Sequence, residues 1–181
     1  MKSLLKPIEK QYLRILDRRD IRLRIPFKEK RPHILNWTKY YSEPLTISQL
    51  LEQGFNYGIR TGKQIGNYYF IVIDLDDYWA KARMRVNLYV QSNKGLHYYL
   101  LIKELPKNSY LYNQYGKKIG DLLSLGKQVV GIGSIHPSGK RYSLFRGNNV
   151  NWNSLKMESL TELEEFLLVR DIFLKIEDKK V

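Results

Sequence analysis

Asp74 and Asp76, with Leu75 between them, close the most apolar run of the chain, Tyr68 to Ile73. Side chains alternate along a strand, so both carboxylates leave one face while Leu75 leaves the other. At ~3.3 Å per residue their Cα atoms lie ~6.6 Å apart. Two acids so close resist shared ionisation unless a cation sits between them, and a hard divalent ion, magnesium or manganese, is the natural partner. Two such ions ~3.5–4 Å apart can transfer nucleotidyl groups, one activating the attacking hydroxyl and one neutralising the leaving phosphate. The same Asp-x-Asp also occurs as ordinary solvated acids at a strand end, and the pair alone leaves that alternative open. An EF-hand is excluded, because Trp79 occupies the sixth position, where that loop needs glycine.

His97 follows a glycine-containing turn and opens the segment Leu96 to Lys103. An imidazole there can project at a ligand, with phosphate the expected target, or serve as a structural histidine. His33 and His136 show no metal-ligand spacing with it. Asp121, after Gly120, could bring a third carboxylate. Other chemistries fail on spacing. Gly58 to Lys63 is one residue short of a Walker A loop, and Gln64 stands where Ser or Thr should hold the metal. Gly131-Ile132-Gly133 lacks the third glycine of a dinucleotide loop, and no Gly-x-Ser-x-Gly elbow or His-x-His pattern exists.

These residues need a sheet to hold them. Ile8, Tyr12, Ile15 and Leu16 have helical spacing, with Lys10, Arg14 and Arg18 on other faces. Ile21, Leu23, Ile25 and Phe27 then alternate with Arg22 and Arg24, which predicts a half-buried strand with arginines on its wet face. Lys28 to Pro44 reads as a basic loop ending before a Thr46/Gln49 capping box, and Gly54 stops that helix. Tyr68 to Ile73 suits a central strand buried on both faces. Val86 to Gln91 and Leu96 to Lys103 predict a hairpin, as do Gln128 to Ile135 and Arg141 to Phe145 around Pro137-Ser138-Gly139. Ser159 and Glu162 have capping-box spacing, and Leu160, Leu163, Phe166, Leu167 and Phe173 form an apolar stripe, which predicts a C-terminal helix over 158–177. The expected architecture is α/β or α+β, one domain over 1–181, with a mixed central sheet and flanking helices. Within it, a helix and basic segment occupy 1–45 and the catalytic sheet 55–147.

The 181 residues include no cysteine, which removes disulfides, thiolate zinc sites and cysteine nucleophiles, so no zinc is expected. No apolar stretch can span a bilayer and no signal-peptide pattern opens the chain, which reads as cytoplasmic with no membrane partner. The net charge of +13 is uneven, since residues 155–181 carry seven acids against five bases, leaving the rest near +15. Such a field attracts polyanions, nucleic acid first and an acidic membrane surface second. Arg18, Arg19, Arg22, Arg24, Lys30 and Arg31 are the candidate contacts to a DNA backbone.

Taken together, the blocks resemble the prim-pol branch of the archaeo-eukaryotic primases, found in replication proteins of archaeal plasmids and phages. Asn56 to Gly62 (NYGIRTG) looks like the family's opening motif, Asp74-Leu75-Asp76 its first catalytic motif and Gly95 to Tyr99 (GLHYY) its second. Asp121 falls where a third acid is expected, and Val129 to Tyr142 is similar to the block that follows. Lys28 to Trp37, with Lys30-Arg31-Pro32, looks like the N-terminal segment. The resemblance covers roughly residues 20–147. It departs in the sparse glycines of Ser92 to Gly95 and in Leu123, where a basic residue often stands.

The resemblance implies an RRM-like primase-polymerase core and a DNA-templated nucleotidyltransferase, a primase, polymerase or both. Asp74, Asp76 and Asp121 would bind two magnesium or manganese ions. His97 would contact the triphosphate of the incoming nucleotide, with Arg60, Ser134 and His136 as further nucleotide contacts. The implied partners are single-stranded or primed template DNA, nucleoside triphosphates, and a helicase or template-binding helical domain on another chain. The alternatives are a non-catalytic nucleic-acid-binding replication initiator module and a two-metal nuclease.

Overall fold

The computed structural model describes residues 4–147 and 151–178. Helix α1 (Pro7–Leu13) runs into a 3-10 turn at Arg14–Leu16; Tyr12 and Leu16 of the expected apolar face are buried, Ile8 and Ile15 are partly buried, and Leu13 is buried with them. Strand β1 (Arg22–Ile25) follows, then the single turn α2 (Trp37–Tyr40) within the basic loop. Helix α3 (Ile47–Glu52) carries the predicted capping box. Thr46 Oγ1 accepts the Gln49 N–H at 3.2 Å while Gln49 Oε1 accepts the Thr46 N–H at 2.9 Å. Gly54, at φ +85°, turns the chain out of it.

The body is sheet. β2 (Asn56–Arg60), β3 (Gln64–Ile65) and β4 (Tyr68–Leu75) lead to the short helix α4 (Ala80–Met84). β5 (Leu88–Gln91), β6 (Leu96–Ile102), β7 (Ser109–Tyr112), β8 (Lys118–Leu123), β9 (Gln128–Val130) and β10 (Ser143–Arg146) follow. After a 3-10 turn come β11 (Lys156–Met157), α5 (Leu160–Leu168) and β12 (Phe173–Ile176). The larger sheet has the order β10-β5-β6-β4-β8-β7-β12, with β3 on β4 and β11 on β6. All its pairings are antiparallel except β11 with β6. A smaller antiparallel sheet has the order β1-β2-β9. The fold is thus α+β, with few helices around a large sheet.

β4 lies at the centre, and Phe70 to Ile73 and Leu75 are fully buried, which fits covering on both faces. The covers can be named from adjacent tyrosines of β6. Tyr99 stacks on Tyr12 of α1, with centroids 5.8 Å apart, and Tyr98 stacks on Phe166 of α5 at 5.5 Å. Neighbouring strand residues face opposite ways, so α1 and α5 lie on opposite faces of the sheet. Asp74 and His97 belong to the α1 face, because His97 precedes Tyr99 by two residues and stands opposite Asp74.

Three expectations change. The C-terminal helix ends at Leu168, and Phe173 belongs to β12, an edge strand on β7. Asp171 takes φ +56°, with Asp171 N–H bonded to Leu168 O and Ile172 N–H to Leu167 O, a Schellman closure that stops the helix. The second hairpin divides: β9 joins β2 and β10 joins β5, leaving a bridge between Ile135 and Arg141. Arg22 faces inward. It is 5% exposed, ion-paired with Asp17 at 2.9 Å and bonded to the Glu43 carbonyl.

Candidate active site

Three strands bring the candidates onto one line. Asp74 of β4 stands opposite His97 of β6 on one side and Asp121 of β8 on the other. Asp76 continues the same face, and its N–H bonds to Ile119 O at 3.0 Å, so the pairing with β8 outlasts the strand. Glycines make this crowding possible. A Cβ on Gly95 would lie 1.7 Å from the Leu75 carbonyl oxygen, and one on Gly120 would lie 2.0 Å from that of Asp74. Any side chain at either position would push a neighbouring strand off the end of β4.

Above Asp74 and Asp76 is a cleft of about 250 Å³. His97, the turn Ser92–Gly95, Gln128 to Val130 of β9, Lys30, His136 and Tyr142 complete its walls. Asp121 lies one strand further and does not line it. Asp74 keeps 22% of its side chain exposed, yet its Oδ1 is sealed without a hydrogen-bond partner, with His97 Nε2 at 3.5 Å. Burial pushes its carboxyl up to about 8, and the charges of Asp76 and Asp121 add to the rise. Asp76 is raised too, by burial and then by Asp121. Burial lowers His97 to about 4, helped by the Lys30 charge, so its ring is neutral at pH 7, and its Nδ1 is also buried and unpartnered.

Among the described residues, no three acid or histidine side chains are gathered into a set that could hold a metal ion. Asp121 instead meets Lys118 at 3.1 Å. Burial alone would lower Lys118, but its hydrogen bond to Asp121 raises it. The donor chemistry still suits a hard cation: three carboxylates on one face, one with a sealed and unsatisfied oxygen.

The profile of a family described as bifunctional DNA primase/polymerase, N-terminal (Prim-Pol) matches residues 18–165. The chain belongs to the Prim-Pol family. No curated protein matches it. Membership implies a DNA primase/polymerase, a nucleotidyltransferase whose substrates are in general template DNA and nucleotides. Among the described residues, no helix is long and apolar enough to cross a membrane.

Within this Prim-Pol domain the other candidates separate. His136 reaches the cleft, its Nδ1 accepting the Ser138 N–H at 3.0 Å, which leaves the neutral ring's proton on Nε2. Burial and then Lys30 lower its pKa. Arg60 and Ser134 are not brought there. Arg60 is buried and donates to the carbonyls of Trp37, Arg19 and Tyr41, clasping the N-terminal segment. Ser134 is buried, its Oγ accepting the Tyr57 N–H at 3.1 Å, so it docks β2.

Among the candidate backbone contacts, Arg22 is structural and Arg24 pairs with the buried Glu43 at 2.8 Å. Arg18 is exposed but chelates Asp20, and Arg19 and Arg31 are exposed. Lys30 enters the cleft instead. Gln128 Nε2 holds its carbonyl at 2.8 Å, and Asn56 Nδ2 holds that of Glu29 at 3.0 Å. Sequence reasoning missed Gln128, Tyr142 and Lys118. Lys118 carried a signal, three residues from Asp121, but its orientation depends on the β-bulge between Leu111 and Tyr112.

Proposed function

We propose that this Prim-Pol domain joins nucleotides on a DNA template, in replication of a plasmid, virus or related element, using two magnesium or manganese ions held by Asp74, Asp76 and Asp121. The observation that carries the reading is Asp74 Oδ1, a buried carboxylate oxygen without a partner beside two further acids. A buried polar atom left unpaired is costly, and a cation bound there would relieve it. Divalent ions supply a positive clamp on the attacking hydroxyl and the leaving phosphate.

The chain's own groups divide the remaining tasks. Asp74 would hold an ion as its carboxylate: burial and like charge keep its carboxyl neutral, and a bound cation would favour the ionised form. The neutral His97 ring donates one N–H to a phosphate oxygen. Lys30, from the same cleft, meets triphosphate charge, and His136 presents its Nε2–H there too. Exposed Arg18, Arg19 and Arg31 add to the field that holds the template strand.

The test is incorporation of labelled nucleotides on single-stranded DNA, with and without a primer, in magnesium or manganese. Template-directed extension that stops on chelation and in Asp76→Ala is expected. Strand cleavage, or extension unchanged by Asp76→Ala, would reject the reading.

A further inference from the structure

Just past the carboxylates the chain turns sharply, and Asp77 locks the turn. Its Oδ1 accepts the Trp79 N–H at 2.6 Å, its carbonyl accepts the Ala80 N–H at 3.0 Å, and its Oδ2 holds Arg83 at 3.4 Å. The lock leaves Tyr78 and Trp79 projecting, 80% and 63% exposed, with centroids 5.2 Å apart and rings at 89°. Neither ring is needed by the core. Large aromatics displayed together on a fixed turn are suited to meeting a partner.

Their position says which partner. A groove of about 350 Å³ runs from Asp76 past Tyr78 and Trp79, with Lys117 and Lys118 on its other side. Asp76 therefore borders both this groove and the cleft that holds Lys30 and His97. Beyond Trp79 a second groove, about 440 Å³, is lined by Arg83, Arg85 and Arg170. Trp79 is the wall common to both. An acid, an aromatic pair and three arginines thus adjoin one another around Trp79; Arg83 is paired with Asp77 and Arg170 is bonded to the Met84 and Phe166 carbonyls, which leaves Arg85 as the cation most open to a ligand.

We propose that this track binds a single strand of nucleic acid, with a base stacked on Trp79 and the backbone beside Lys117 and Arg85. Aromatic faces hold unpaired bases whatever their sequence, while cations follow the phosphates. Within a duplex only the end pair has a free face, so a strand that runs along the track with a base on Trp79 is single-stranded there. The proposal rests on the primase/polymerase reading, since it places the strand and the nucleotide on opposite sides of Asp76.

The test measures binding without metal or nucleotide, so its failure is distinct from failure of catalysis. Anisotropy of end-labelled oligothymidylate, and of the same strand with abasic sites, is compared for the parent, Trp79→Ala and Trp79→Phe. Trp79→Ala should weaken oligothymidylate binding roughly 5- to 150-fold, the span expected for one stacked base. Trp79→Phe should restore most of it, and the abasic strand should bind parent and Trp79→Ala alike. Equal binding by parent and Trp79→Ala, or equal loss on both strands, overturns the proposal. So does relief of self-association by Trp79→Ala with DNA binding intact, which would make the patch a protein contact. Irradiation of primer-template carrying 5-iodouracil in one strand or the other identifies the strand that reaches Trp79; crosslinking from neither also overturns it.

Discussion

Charge is treated in opposite ways in the small and large sheets. Around β1 and β2 the arginines are held by partners: Arg22 meets Asp17 and the Glu43 carbonyl, Arg24 meets Glu43, and Arg60 meets three carbonyls through its two terminal nitrogens, although its Nε has none. In the large sheet, His97 and Asp121 flank Asp74 on either side, and Asp74 Oδ1 and His97 Nδ1 have no partner. A buried charge with its partners present is holding structure together. Ionisable groups that line a cleft with a polar atom left unpartnered, as Asp74 and His97 do, are held neutral and ready for a ligand, and the fold accepts the cost.

The largest effect expected on this contrast is from Asp121→Ala. Losing one carboxylate of the cluster should lower nucleotide incorporation on the order of a thousandfold while the melting temperature hardly changes. A primer-extension time course beside a thermal melt checks it. Arg22→Ala should do the reverse. Removing a buried partner costs about 3–5 kcal/mol, and at about 2–4 °C per kcal/mol for a domain of this size the melt falls clearly. Incorporation assayed well below that melt should stay near the parent's. If Arg22→Ala abolished incorporation in folded protein, the division between the two regions would fail.

His97→Ala sharpens the contrast on the catalytic side. Loss of one hydrogen bond to a charged phosphate is worth roughly ten- to a hundredfold, read as a higher nucleotide KM, a lower kcat or both. Full rescue by excess metal, with nucleotide affinity unchanged, would assign His97 to the metals instead.

A last effect is in stability against pH without divalent ions. Asp74 ionises near 3.8 when unfolded and near 8 when folded, so folding takes up a proton between those values. Stability from this group is full below the unfolded pKa and falls as pH rises toward 8. Asp74→Asn removes that dependence, so its melting temperature should gain on the parent's across the window. Parallel curves for the two proteins would contradict the assigned burial.

The sequence made the large sheet's centre legible because β4 is an uninterrupted apolar run that ends in two acids, and the glycine before His97 marks its neighbour. Thr46 and Gln49 likewise declare their helix. Alternation in β1 was misleading: the period separates two faces but does not say that both are covered, so Arg22 was expected in water. β12 was hidden because Asp171 performs the left-handed turn usually given to glycine, and Phe173 keeps the helical spacing beyond it. Arg60 and Ser134 sit in family-like blocks, but carbonyls and amides distant in sequence claim their polar atoms. Only pairing reveals that. Lys30 was readable as a basic loop residue, and its place over the cleft depends on the Gln128 and Asn56 tethers.

The most direct measurement is incorporation by Asp74→Asn on primed single-stranded DNA across a magnesium or manganese titration. The substitution keeps shape and removes the ability to ionise at a carboxyl whose buried Oδ1 has no partner. Incorporation should fall on the order of a thousandfold at every metal concentration, in protein that melts no lower than the parent. Near-parental incorporation by that folded variant would contradict the assignment of Asp74 and its neighbouring carboxylates as the reaction centre.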